Sequence, residues 1–253
     1  MIKYDIIGVV YIKILIYILL GLVGAFLLMI LFLTVVALTI NPKKHYEHEH
    51  PFYRGVLNVF SGAALWLLGV RTTVEGAEKL PKDSNFLFIS NHRSNYDPII
   101  QWYVLREYKL TFVSKKANFR VPWFGRIIHR CGFLPIDRKS PRKSMETLGK
   151  AADLLSRTEK CVGIYPEGTR SKSVELLPFH KGVLKIAQKA ERPVVIAVIE
   201  GTEKVFKNIL RLRRSKIVIR ILETVDTERV KATKSSELGE YAYALMDSSF
   251  TDK

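Results

Sequence analysis

The chain has 253 residues, 48% of them hydrophobic, and a formal net charge of +16. That length holds one generous domain plus an appendage, and two isolated cysteines, Cys131 and Cys161, are too few for a disulfide framework or a zinc site. The basic surplus asks for an acidic partner: nucleic acid, anionic lipid headgroups or phosphorylated substrates.

The N-terminus decides among these. From Ile14 to Ile40 the chain runs 27 residues without a charge. As a helix this run is about 40 Å long, more than the ~30 Å hydrocarbon core of a bilayer. A cleaved signal peptide has a shorter apolar region and a small-residue cleavage site, so membrane insertion is expected. A nucleic-acid binder would give this segment no purpose. Lys43, Lys44 and Arg54 follow the run, against Lys3 and Lys13 before it. That excess places the rest of the chain on the cytoplasmic side of the cell membrane. The intervening "HYEHEH" is read as a solvated linker rather than a metal site.

A second apolar helix is expected over Pro51 to Val70, with Tyr53, Val56, Leu57, Phe60, Ala64, Leu67 and Leu68 near one face. It is either a helix of the globular core or a partner for the first helix at the bilayer surface. Residues 1–71 are thus read as membrane-associated helices, and 72–253 as a separate domain.

Past residue 72, β-rich runs alternate with helical ones. Strands are expected at "NFLFIS" (Asn85 to Ser90), "LTFVSK" (Leu110 to Lys115), "GFLPI" (Gly132 to Ile136), "CVGIYP" (Cys161 to Pro166), "PVVIAVI" (Pro193 to Ile199) and "KIVIRIL" (Lys216 to Leu222). Helices are expected from Pro98, over Arg142 to Ser156, over His180 to Lys189, and from Ser235. Several strands are continuously apolar. This predicts an α/β fold with a central mixed sheet, buried on both faces and flanked by helices.

Functional residues in such sheets gather at the carboxyl ends of strands. Four of these ends carry polar residues here: "SNHRSNYDP", "SKKANFRVPWFG", "PIDR" and "YPEGTRS". They offer a histidine and an aspartate five residues apart, several cations, no metal cluster and no Gly-rich phosphate loop. Asp97 before Pro98 also suits a helix N-cap with proline at the first helical position.

Asn91-His92, four residues, then Asp97 resembles the first signature block of the glycerolipid acyltransferases, the 1-acyl-sn-glycerol-3-phosphate acyltransferase family. "KKANFRVPWFG" with "GFLPIDR" resembles the second block, with Pro122, Gly125, Gly132, Asp137 and Arg138 in order. "YPEGTRS" resembles the third almost letter for letter. "PVVIAV" resembles the fourth weakly, because Ile196 stands where the family usually has a second proline; Ala117 and Asn118 also depart from the pattern. The resemblance spans about residues 72–200.

It implies acyl transfer from a thioester, on coenzyme A or acyl carrier protein, to the free hydroxyl of lysophosphatidate, with no cofactor and no metal. An alcohol is a poor nucleophile until a base takes its proton, and imidazole suits neutral pH. His92 would be that base, with Asp97 fixing its tautomer and stabilising the imidazolium. Arg170 of "EGTR" would bind the acceptor's phosphate in a bidentate fork, helped by Gly168 and Thr169, with Lys115 and Arg138 as second ligands. Glu167 would order the loop or bond a glycerol hydroxyl. "FRVPWFGRIIHR" is read as a surface touching anionic lipid, in preference to a helix packed on the sheet. The alternatives are an acyltransferase for another lysophospholipid or for glycerol 3-phosphate, and a non-catalytic lipid-binding protein.

Overall fold

A computed structural model describes residues 2–250 except 45, 47, 48, 174 and 181. Half of the "HYEHEH" linker, residues 45, 47 and 48, therefore lies outside the described residues. Seven strands form one sheet in the order β1-β7-β6-β2-β5-β3-β4. These are β1 (Val70–Glu75), β2 (Leu87–Ser90), β3 (Thr111–Lys115), β4 (Leu134–Ile136), β5 (Val162–Ile164), β6 (Val194–Glu200) and β7 (Ser215–Val225). Only β7 on β6 is antiparallel; every other pairing is parallel. The expected mixed sheet is present.

Alternate residues along each strand enter different cores, as the two-residue period of a strand requires. Phe88, Phe112, Val195, Ala197 and Ile199 face one side, and Leu87, Ile89, Val113, Val194, Ile196 and Val198 the other. On the first side lie α2 (Pro51–Leu67), α3 (Asp97–Val104) and α4 (Phe124–Arg130). On the second lie α5 (Pro141–Arg157), α6 (Lys185–Ala190), α8 (Thr227–Ala232) and α9 (Ser235–Ser249). All seven residues of β6 are buried because it is central and covered on both faces. Ser140 caps α5, its hydroxyl accepting from the Lys143 amide with Pro141 in the first turn.

The first helix, α1, runs Ile2–Leu38 and is the one described helix long and apolar enough to cross a membrane. Its most apolar stretch has no buried residue, yet its end is built into the domain. Val36, Ala37 and Ile40 are buried, Trp123 Nε1 donates to Thr34 Oγ1 at 2.9 Å, and Phe32 stacks on Phe60 of α2.

Helix α2 belongs to the core on its inner side, through Val56, Leu57 and Leu65, while Phe52, Val59, Trp66 and Leu67 remain exposed. The core-helix reading holds for the inner face. Leu67, expected on one face with Val56 and Leu57, is exposed where they are buried. The helix stops at Gly69, whose φ of 62° an L side chain resists.

Two expectations are corrected. Val70 starts a strand instead of ending a helix; "VRTTVE" is an edge strand with a mostly exposed, polar sequence and no apolar run to announce it. The helix expected from His180 begins at Lys185, because the His180 amide bonds to Pro166 O at 2.9 Å and ties that segment to the β5 loop. The segment from Phe119 to Arg130 ends in a packed helix, Phe124–Arg130, while Arg120, Val121 and Pro122 before it are exposed. Ile127 and Ile128 are buried, Arg126 donates to Ala37 O at 3.0 Å, and Arg130 lies over the rings of Tyr46 and Tyr53.

Candidate active site

His92 leaves the carboxyl end of β2 held on all sides. The neighbouring Asn91 side chain exchanges two hydrogen bonds with the main chain of Ile199, tying β2 to β6 beyond the last ladder pair. The His92 ring stacks on Tyr165 from the β5 end, with centroids 4.1 Å apart and planes 11° from parallel. Tyr165 donates to Gln101 Oε1 at 2.8 Å, and Gln101 donates to Ser90 Oγ at 2.7 Å. Burial, then the Asp97 carboxylate, push the Tyr165 phenol far up, so it stays a neutral donor.

Asp97 is fully buried, and His92 Nδ1 lies 2.8 Å from its Oδ2. The same oxygen accepts the amides of Arg93 and Ser94, each at 2.8 Å. This settles what the turn is for. The N-cap of α3 is Tyr96, with no side-chain capping bond, and Asp97 is the first residue inside the helix. Its carboxylate does not cap the helix. It closes the turn backward, onto the two amides and the imidazole. Two N–H donors mark Oδ2 as an acceptor, so Nδ1 is the ring nitrogen that donates to it, and in the neutral ring the lone pair is on Nε2.

Glu167 is buried behind this pair. Its Oε1 accepts the His92 amide at 2.7 Å and its Oε2 the Leu177 amide at 2.9 Å, while the Ser171 amide donates to His92 O at 2.8 Å. Of its two expected roles, loop ordering is the one the geometry supports. Both of its oxygens accept main-chain amides. Burial pushes its carboxyl above the ordinary carboxylate value, and the amides of Leu177 and His92 pull it back. Glu167→Gln puts an NH₂ against one of those N–H donors. It is expected to cost about 1–3 kcal/mol of stability in a denaturation experiment. Gly168 adopts φ 66°, and a Cβ there would lie 2.5 Å from His180 Nε2. Only glycine fits that turn.

Two clefts are lined by neighbours of the pair, one by Tyr165 and the other by Arg93. One, of about 350 Å³, is lined mainly by apolar groups including Val113, Ile136, Met145, Leu148, Ile164 and Tyr165, with Arg138 and His180 among its polar ones. The other is more open, about 610 Å³, and is lined by Arg93, Thr169, Arg170, Ser171, Lys172, Ser173, Glu203 and Lys204. Thr169 and Arg170 are exposed there, and Arg170 has no side-chain partner among the described residues. Lys115, exposed at the end of β3, and Arg138 do not line that cleft. The cations expected to act together are thus divided between two places.

Sequence reading missed Tyr165, Gln101 and Asn91 as supports of His92. Their signal is a polar side chain inside an otherwise apolar run. No group of three or more His, Cys, Asp or Glu able to hold a metal occurs among the described residues.

The Acyltransferase domain family matches this chain over residues 71–200, which takes in the His92–Asp97 turn, the apolar cleft and all of the open cleft's lining but Glu203 and Lys204. The chain belongs to the acyltransferase family. A 1-acyl-sn-glycerol-3-phosphate acyltransferase from Cocos nucifera is 31% identical over 182 residues, 72% of this chain and 58% of that protein. The chain therefore spans rather more than half the length of that relative. A protein of the same name from Salmonella typhimurium is 27% identical over 207 residues, 82% of this chain and 80% of its own length. Among solved structures, the 1-acyl-sn-glycerophosphate (LPA) acyltransferase PlsC from Thermotoga maritima superposes with a TM-score of 0.63. It is 26% identical and covers 77% of each chain. The acyltransferase fold expected from the four motif blocks is present, with its N-terminal apolar helix.

Proposed function

We propose that this acyltransferase moves a fatty acyl group from an acyl thioester to the sn-2 hydroxyl of 1-acyl-sn-glycerol 3-phosphate, giving phosphatidate for phospholipid synthesis. The observation that carries the proposal is the buried Asp97 carboxylate 2.8 Å from His92 Nδ1, with an apolar and a cationic cleft lined by their neighbours. The names of the relatives support the choice of acceptor.

His92 Nε2 takes the acceptor's hydroxyl proton as the oxygen attacks the thioester carbonyl. The Asp97 carboxylate stabilises the imidazolium that forms. When the tetrahedral intermediate collapses, the carbon–sulfur bond breaks and the proton passes from Nε2 to the departing thiolate. The new bond is the ester C–O, and no side chain is acylated. A binding protein without chemistry has no use for a buried carboxylate held against an imidazole, which sets the non-catalytic reading aside.

The apolar cleft takes the donor's acyl chain, since Tyr165 and Gly168 line it and Tyr165 carries His92 on its face. The acceptor's phosphate sits in the open cleft on Arg170, whose planar fork matches phosphate oxygens. The long exposed α1 holds the domain at the cytoplasmic face of the cell membrane, where the amphiphilic acceptor presents its headgroup.

Arg170→Ala is expected to raise KM for lysophosphatidate about 10- to 100-fold, the equivalent of a charge-assisted pair of about 1.5–3 kcal/mol. KM for the acyl donor should change less than about threefold. Lys at this position keeps the charge but not the fork, so it should rescue only in part. Equal losses for both substrates would instead mean that the "YPEGTRS" loop had collapsed.

A further inference from the structure

The connection between β6 and β7 carries a surface that neither the chemistry nor the core uses. Helix α7 (Val205–Leu210) buries Val205, while Phe206 and Leu210, one turn apart, are 63% and 72% exposed. Leu212 beyond it is 97% exposed, and its φ of 51° is a left-handed conformation that a leucine enters only at a cost. The tip is nonetheless firmly made. The Leu212 and Arg213 amides donate to Ile209 O and Asn208 O at 3.0 and 2.8 Å, and Asn208 Nδ2 donates to Ser215 Oγ at 3.0 Å. Around these side chains stand Lys207, Arg211, Arg213, Arg214 and Lys216, all exposed and none in an ion pair among the described residues. Lys204 is matched by Glu203 at 3.9 Å, the one acid between Gly201 and Lys216. An exposed apolar cluster rimmed by cations marks a contact surface.

The position of the tip says what it meets. The Ser215 amide donates to Gly69 O at 3.0 Å, and a Cβ at Gly69 would touch the Arg214 side chain at 3.4 Å. The tip therefore adjoins the end of α2, where Trp66 and Leu67 are exposed. Helices α1 and α2 pass each other in opposite senses, since Phe32 meets Phe60 and Thr39 meets Tyr53. Going on from Phe60 to Trp66 thus leads about 9 Å back along α1, into its bare apolar stretch. The tip lies on the side of the domain from which α1 enters lipid. That side is also the carboxyl end of the sheet. Val218 of β7 pairs with Glu200, the last residue of β6, so the tip projects beyond the end where His92 follows β2. Glu203 and Lys204, at the foot of α7, line the open cleft.

We propose that the α7–β7 tip is a wedge into an anionic leaflet. Leu210, Leu212 and Trp66 enter the boundary between headgroups and acyl chains, and Lys207, Arg211, Arg213 and Arg214 meet lipid phosphates. A nucleic acid would match the cations but not the leucines, and a second copy of the same basic surface would be repelled. With α1 as the tether, this second contact fixes the rotation of the domain about α1 and turns the open cleft toward the leaflet. The contact stands apart from the acyl-transfer reading; the delivery of lysophosphatidate to the cleft rests on it.

The test uses the full chain in vesicles, with a nitrobenzoxadiazole label on Leu212→Cys; Cys131 and Cys161 are buried and stay unlabelled. A label on Lys150→Cys, exposed on α5 at the opposite face of the sheet, is the control. In phosphatidylglycerol vesicles, quenching by lipids spin-labelled high on the acyl chain is expected to be about threefold or more stronger at the tip than at the control, and to fall in phosphatidylcholine. Equal quenching at both positions would overturn the proposal. So would shielding of the tip that follows protein concentration instead of lipid, which would mean a second copy. Kinetics give the other arm. Changing Leu210 and Leu212 together to Ser should raise KM for vesicle-borne lysophosphatidate about 5- to 10-fold with kcat unchanged. KM for a short-chain lysophosphatidate dissolved as monomers should move less than about twofold. Equal losses with both acceptors would mean damage to the open cleft and overturn the proposal. Inactivity of the wild type with both acceptors removes the acyl-transfer reading, and the quenching result then decides the membrane contact by itself.

Discussion

His92→Ala should fold, insert into membranes and turn over at a rate lower by about 10³-fold or more, at the upper part of what a positioned general base contributes. The substitution deletes the one group with a free nitrogen lone pair in the turn, while the amides that shape the turn belong to the main chain and remain. Its Asp97 and Glu167 partners keep the amides of Arg93, Ser94, His92 and Leu177. Loss of the ring's stacking on Tyr165 costs stability of only about 0.5–1.5 kcal/mol. KM for both substrates should stay within about threefold, because the ring binds neither the phosphate nor the chain. Single-turnover kinetics on the folded variant check this. A rate within tenfold of wild type would remove His92 from the chemistry.

Asp97→Asn separates charge from shape. Three donors converge on Oδ2, so the amide oxygen of Asn must take that place, which keeps the turn and the imidazole tautomer. Its NH₂ then occupies the Oδ1 position, which is buried and has no partner. What disappears is the negative charge that stabilises the imidazolium. A fall of about 10²- to 10³-fold in kcat is expected, with a modest loss of stability. Asp97→Ala, by contrast, strands the Arg93 and Ser94 amides and should cost about 2–4 kcal/mol, measured by denaturant titration. If Asn kept full activity and only Ala lost it, the carboxylate would be a device for the turn alone.

Much of the fold is legible because burial writes itself into sequence. Strand β6 is continuously apolar, and α5 carries Ser140 and Pro141 at its start and a spaced apolar face. The misses have physical causes. Strand β1 lies at an edge and needs no apolar run. The six-residue helices α7 (Val205–Leu210) and α8 are too short to show a period. The stretch from His180 to Leu184 has helical composition, but its tie to Pro166 overrides it.

The site divides the same way. Residues close in sequence, His92 and Asp97, announce their meeting by spacing. Glu167 meets a main-chain amide 75 residues away, which no side-chain pattern reveals. The separation of Arg170 from Lys115 and Arg138 follows from the neighbour order β2-β5-β3-β4, in which β5 inserts between strands that precede it in the chain. That order is set by tertiary packing, so cations that look equivalent along the sequence end up in different places.

The most direct measurement is acyl transfer by the purified full chain to lysophosphatidate, lysophosphatidylcholine and glycerol 3-phosphate, each offered with palmitoyl carrier protein and with palmitoyl-coenzyme A. The account predicts phosphatidate as the product, with kcat/KM for lysophosphatidate at least about tenfold above the others, a preference of about 1.4 kcal/mol. No transfer to lysophosphatidate with either donor, or equal transfer to lysophosphatidylcholine, whose phosphate is already esterified, would contradict it.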